Sequence, residues 1–347
     1  MKKYIVGICF SLFLFSACSD WLNVEPKTTV KEEEVFGREL GFKEALTGAY
    51  IKMAATGLYA RNLSFGFLDI LGGRYTQRTD QKDYYTFAPD PSSTAEFYCE
   101  SIWKDMYNII ANLNNMLSYC DKNKHVFTTA SYYEIIKGEA LGLRAFLHFD
   151  LLRLFAVHIN STDEKAKAKA IPYVTKYTFK VTPFSSVEEV YEKIIADLKE
   201  AEICLAEDEV LMPKIRKGGE KGFTGARELH FNLYAAQAML ARVYWMKGDL
   251  ENAKKYANKV IQSEKFQFVN QEDLSTFTKS RISLSETIWG LYTTKISSYL
   301  YDNQLLLNKM SLPVGWRDIY KTVEENEDNY DKRYYAWFIT KEYNGKS

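Results

Sequence analysis

AAQAMLARVYWMKGDLENAKKYANKVI, residues 235–261, reads as two helices joined by a tight turn. Leu240, Ala241 and Tyr244 recur at helical spacing and lead to Gly248-Asp249, after which Ala253, Ala257 and Val260 repeat the period. Small residues at Ala241 and Ala253 allow two antiparallel helices to approach closely, and Tyr244 is placed to fill the space between one pair and the next. A lone pair of this kind cannot bury its own apolar face, so it has to stack on neighbours.

The spacing fits a tetratricopeptide repeat with its leading tryptophan replaced by Gln237. Upstream stretches supply the neighbours. Phe42, Ala45, Leu46, Ala49 and Met53 form one stripe, and Trp103, Tyr107, Ile110, Leu113 and Leu117 a second. Ile136, Ala140, Leu143, Leu147, Leu151 and Leu154 form a third. Ser93 with Glu96, Ser131 with Glu134, and Ser185 with Glu188 fit the S-x-x-E box that caps helix starts. Breaks fall at residues 59–92, at Lys165–Pro172 and at Pro213–Gly225. Beyond residue 265, Phe266–Val269 and Thr287–Tyr292 read as brief strands within irregular, aromatic-rich chain. The fold class expected is therefore mainly α: a tetratricopeptide-like helix-pair scaffold with a loop-rich irregular face and a few short strands. The scaffold covers mainly residues 38–265, and the aromatic region residues 266–347.

The start of the chain speaks to location. MKKYIVGICFSLFLFSACSD has a basic opening at Lys2 and Lys3, an apolar run from Ile5 to Phe15, and small residues directly before Cys18. This is a secretory signal ending in a lipobox, so residues 1–17 are expected to be removed and Cys18 to carry lipid. About 13 residues at ~1.5 Å each reach roughly 20 Å, short of a hydrocarbon core of about 30 Å. With no second long apolar stretch, the lipid is expected to be the only membrane attachment.

Composition narrows the function. The 347 residues hold 45 basic and 45 acidic groups, and the signal removes two lysines and no acid. Such a balance gives no broad footprint for nucleic acid. Cys99, Cys120 and Cys204 remain after export. Cys99 and Cys120, on one predicted helix, would lie about 31 Å apart, beyond any disulfide, and three unpaired thiols are expected.

Catalytic and metal signatures are missing. His125, His148, His158 and His230 form no H-E-x-x-H pair and have no cysteine at zinc spacing. His148, among Phe146, Phe149 and Leu151, reads as a packed residue. Glu324, Glu325, Glu327, Asp328 and Asp331 lack the order and turn glycine of a calcium loop. No phosphate loop, dinucleotide fingerprint or nucleophile elbow occurs. A non-enzyme without metal or cofactor is expected.

CSDWLNVEP after the lipobox, GFKEALTGAY, IWKDMYNIIANLN, GEALGLRAFLHFDLLRLFA followed by IPYV, SVEEVYEKIIADLKEAE, MLARVYWMKGDLENA and ETIWGLY occur in that order from residue 18 to about 293. In this order and spacing the chain resembles the SusD/RagB family of outer-membrane nutrient-binding lipoproteins. The resemblance implies a single domain over residues 18–347, here lacking its last part. It implies lipid anchoring at the outer membrane, with cell-surface exposure, and docking on a TonB-dependent (SusC-like) transporter. It further implies non-catalytic capture of oligosaccharide or polysaccharide for that transporter. The same architecture also accommodates oligopeptides or other nutrients, or a scaffold that only assembles partner proteins.

Sugar capture asks for aromatic platforms and nearby polar groups on loops. Two regions offer them. The first provides Asp69, Arg74, Tyr75, Arg78, Asp80, Tyr84 and Tyr85; the second provides Tyr299, Tyr301, Asn303, Trp316 and Arg317. From these, Asp69, Arg74, Tyr75, Tyr84, Tyr85, Tyr299, Tyr301 and Trp316 are the candidate ligand-binding residues. Trp103 and Trp289 are expected in the core.

Overall fold

A computed structural model describes residues 31–73, 75, 93–216, 222–269 and 283–294. Among the described residues, six long helices carry the fold. They are α1 (Glu39–Met53), α2 (Thr94–Cys120), α3 (Tyr132–Phe155), α4 (Val187–Cys204), α5 (Leu233–Lys247) and α6 (Leu250–Gln262). They pack in chain order, each chiefly against the one before and the one after. Antiparallel packing follows from the side chains that meet. Trp103, near the start of α2, stands edge-on to Phe155 at the end of α3, and Phe149 on α3 meets Tyr191 near the start of α4.

The predicted stripes are the buried faces. Phe42, Leu46 and Met53 are fully enclosed, as are Ile110, Leu113, Ile136, Leu143, Leu147 and Leu151. Gly248 has a φ of 87° and closes α5, while Asp249 caps α6 by accepting from the Asn252 amide at 3.0 Å. Tyr244 works chiefly inside its own pair: its ring stacks on Tyr256 at 5.6 Å. Gln237, where the repeat pattern has tryptophan, donates to Glu202 of α4 at 3.0 Å.

α3 is the central helix, and GEALGLRAFLHFDLLRLF makes up its residues 138–155. Two glycines set how closely its neighbours come. A Cβ on Gly138 would fall 2.7 Å from Leu205, and one on Gly142 would fall 2.1 Å from the Phe231 ring. Its polar residues each have a designated partner. Arg144 forks onto Asp197 of α4, with Nε and Nη2 both at 2.7 Å, and donates through Nη1 to Asn114 of α2 at 2.9 Å. Glu139 is wholly buried and pairs with the equally buried Arg227, whose Nε also meets Asp208 at 2.7 Å. Burial opposes the charge on Glu139, but Arg227, His230 and Tyr50 together hold its carboxyl down to about 2. His148 is buried as expected: the Val174 amide donates to its Nε2 at 3.0 Å, and its Nδ1 meets the Arg144 carbonyl at 2.8 Å.

Several local expectations are corrected. Phe266–Val269 and Thr287–Tyr292 form no strands; a single bridge between Ile171 and Ser185 is the β pairing among the described residues. Thr287–Leu291 instead docks through single backbone bonds, with Gly290 N–H donating to the Glu228 carbonyl at 2.9 Å. The capping box of α4 is Ser186 with Glu189, one residue later than the sequence pattern, because Ser185 is taken by the bridge. Ser93 caps α2 as expected. Ser131 does not cap α3: its φ of 65° turns the hydroxyl away from the amide it would serve. The break at 59–92 contains a short helix, Phe67–Leu71. Cys99, Cys120 and Cys204 are unpaired. Trp103 and Trp289 are partly buried against the core.

Candidate functional site

The ends of α3 and α5 and the first turns of α4 converge on a cleft of about 390 Å³. The segment after α1 supplies one wall through Tyr59, Leu63 and Leu68. Phe146, Asp150, Arg153 and Leu154 come from α3, and Ala156, Val157 and His158 from the chain that leaves it. Tyr191 of α4 with Arg242 and Met246 of α5 completes the lining. Its position follows from antiparallel packing, which brings three helix ends and the 54–73 segment to one end of the array.

The lining mixes rings with charges. Tyr59 and Phe146 lie 5.4 Å apart at a tilt, and Trp289 stands edge-on behind Phe146 at 5.0 Å. The Tyr59 hydroxyl donates to Asp150 Oδ2 at 2.8 Å, and Arg153 donates to Oδ1 at 3.0 Å. Burial raises the Asp150 carboxyl above its ordinary range, and Arg153, Tyr59 and Arg242 only partly offset it. Burial likewise raises the Tyr59 phenol far above its usual value, helped by the Asp150 charge. The guanidiniums of Arg153 and Arg242 lie 5.7 and 5.6 Å from the Phe149 ring centre. Such a surface offers apolar walls to the C–H faces of a ring and fixed donors to its polar substituents. Among the described residues no group of three or more His, Cys, Asp or Glu is placed to hold a metal ion.

At the opposite end of the helices a wider, charged groove is lined by Glu202, Glu209, Gln237, Lys259 and Lys265. Little aromatic surface faces it, so the first cleft is the better ligand site.

Of the sequence candidates, Asp69 and Tyr75 are described. Asp69 lies on the Phe67–Leu71 helix beside the cleft wall at Leu68. Tyr75 is half-buried and donates to the Phe65 carbonyl at 2.9 Å, which packs it against the segment that builds that wall. Arg74, Tyr84, Tyr85, Tyr299, Tyr301 and Trp316 lie outside the described residues, as do Cys18, Arg78, Asp80, Asn303, Arg317 and the acidic run 324–331. Sequence reasoning missed Tyr59, Asp150, Arg153 and Arg242 as site residues. One signal was available, because Asp150 and Arg153 put two opposite charges at i, i+3 in the apolar last turns of α3.

Comparison with known proteins agrees with this architecture. SusD-like protein P2 of Formosa agariphila is 27% identical over an alignment covering 76% of this chain and 47% of the relative. The SusD-like protein P38 of the same organism is 25% identical over 58% of this chain and 38% of its own length. The chain thus spans about half the length, or less, of the curated relatives it matches. Among solved structures, a SusD superfamily protein from Bacteroides thetaiotaomicron superposes with a TM-score of 0.58 at 22% identity, covering 74% of this chain and 53% of the other. A SusD-like carbohydrate binding protein from Bacteroides vulgatus gives 0.59 at 20%, covering 82% and 59%. A laminarin binding SusD-like protein gives 0.53 at 20%, covering 73% and 50%. These structures share the helical fold. Residues 20–245 match the SusD-like family described as starch-binding and associating with the outer membrane, and the chain belongs to that family.

Proposed function

We propose that this protein captures an oligosaccharide at the loop-bearing end of its helix array, without chemical change, and passes it to a TonB-dependent outer-membrane transporter. The observation that carries the reading is the ring-lined cleft directly beside the segment that bears Asp69 and leads to Arg74, Tyr75, Tyr84 and Tyr85. Tyr299, Tyr301 and Trp316 are proposed to join them from the second aromatic region. Family membership and the carbohydrate-binding and laminarin-binding relatives support a glycan as ligand. Lipid on Cys18 would tether the protein to the outer membrane, with its loops at the cell surface.

Affinity electrophoresis through gels containing plant, host and microbial glycans, laminarin among them, tests the reading. Retardation by at least one glycan is expected, with its loss in the Tyr84→Ala, Tyr85→Ala, Trp316→Ala triple variant. No retardation by any glycan, with binding of peptides instead, overturns it. Release of reducing ends from a bound glycan by the purified chain overturns the non-catalytic part.

A further inference from the structure

The charges in the cleft do not balance. Asp150 is its one carboxylate among the described residues, and both of its oxygens are engaged, one by the Tyr59 hydroxyl at 2.8 Å and the other by Arg153 at 3.0 Å. Arg242, on the facing helix α5, makes no hydrogen bond or ion pair with the described residues; its guanidinium lies 5.6 Å from the Phe149 ring centre. Arg153 approaches the same ring at 5.7 Å, so two guanidiniums gather at one aromatic ring. Desolvation and the nearby Arg153 charge disfavour the cationic form of Arg242, and Asp150 offsets them only in part. Apolar groups from Leu154, Val157 and Met246 surround these cations. A guanidinium fork with no hydrogen-bond partner, exposed beside apolar walls and countered only at range by Asp150, is matched by a flat or tetrahedral oxyanion carried on a ring.

We propose that this cleft is a subsite for an anionic substituent of the captured glycan, a uronate carboxylate or a sulfate ester, with Arg242 supplying the fork and Arg153 the second positive charge. The proposal rests on glycan capture at this end of the array and adds the chemical class of sugar. The apolar walls take the C–H face of the ring while Arg242 takes its oxyanion. Arg153 keeps its bond to Asp150 and acts through its charge.

The test uses the full chain with four probes: dextran, dextran sulfate, polygalacturonate and its carboxyl-reduced, neutral form. The unsubstituted protein is expected to bind an acidic probe at least tenfold more tightly than its neutral counterpart, with the preference shrinking as salt rises. Preference for dextran sulfate assigns the subsite to sulfate, and preference for polygalacturonate assigns it to a carboxylate. Arg242→Gln is expected to weaken acidic binding on the order of 10- to 100-fold and neutral binding by far less, so that the acidic preference collapses, with Arg242→Lys between the two. Equal binding of acidic and neutral probes, or acidic binding indifferent to Arg242, overturns the subsite while leaving glycan capture intact. Binding of no glycan of either kind overturns both.

Discussion

Arg144 and Asp197 face each other across the α3–α4 contact in a two-pronged ion pair, both N···O distances 2.7 Å, although 53 residues separate them. Tyr173 adds a third bond to the same carboxylate at 2.6 Å, and Asn114 takes the remaining arm of Arg144 at 2.9 Å. Removing one partner strands a buried charge, which costs about 3–5 kcal/mol. Asp197→Ala should therefore lower unfolding stability by that amount in urea titrations. The double change Arg144→Met, Asp197→Leu should cost less than the two single changes summed, because it leaves no orphan charge. A strictly additive result would show that the pair is not coupled.

Acid should weaken the fold in two stages. Burial depresses the His148 imidazole to about 3, with the nearby Arg144 charge adding to the effect. The unfolded chain takes up that proton near pH 6.5, the folded one far lower, so stability falls as pH drops below about 6.5. Protonation would also set a second N–H against the Val174 amide, which already donates to Nε2. Glu139, held at about 2, adds a second loss as pH falls below about 4.5. Thermal midpoints measured from pH 8 to 4 should decline from about pH 6.5, with a slope near 1.4 kcal/mol per unit for each proton linked. His148→Gln should flatten the upper part of that decline. A flat profile above pH 5 in the unsubstituted chain would contradict this account.

Gly142 is a contact point on α3. A methyl group there would meet the Phe231 ring at 2.1 Å, and Phe231 is fully enclosed. Gly142→Ala should cost about 1–3 kcal/mol despite the better helix propensity of alanine. Phe231→Leu, which shortens the obstructing ring, should recover part of that loss in the double variant. No coupling between the two in a mutant cycle would place the strain elsewhere.

Helix starts supply a comparison within one chain. Ser186→Ala, which breaks a reciprocal box, and Ser93→Ala should each cost about 1 kcal/mol. Ser131→Ala, at a serine that makes no capping bond, should cost almost nothing. Denaturation of the three variants side by side checks the ranking.

The serines also show where sequence reading ends. Apolar stripes such as Phe42–Leu46–Met53 translate directly into buried faces, because helical period alone fixes which side chains share a face. A cap depends on one residue's backbone angle, and both Ser185 and Ser131 were displaced from that role by neighbouring structure. The buried pairs Arg144–Asp197 and Glu139–Arg227 join residues 53 and 88 positions apart, and no local pattern signals such a match. The cleft was illegible for the same reason. Arg153 and Arg242 are ordinary helix arginines until packing points both at Phe149. Asp69, chosen as a loop residue, lies on the short helix Phe67–Leu71, which the sequence pattern did not announce.

One contact reaches from α1 to the segment that leads into α5. The Tyr50 hydroxyl, at the end of α1, donates to Glu139 and receives the Phe231 amide at 2.8 Å, 181 residues onward. Helices joined only to their nearest companions could fray from either tip independently. This clasp makes α1 wait, during synthesis, for a segment that leaves the ribosome much later, and it ties the fate of that helix to the entry of the last pair once both have arrived.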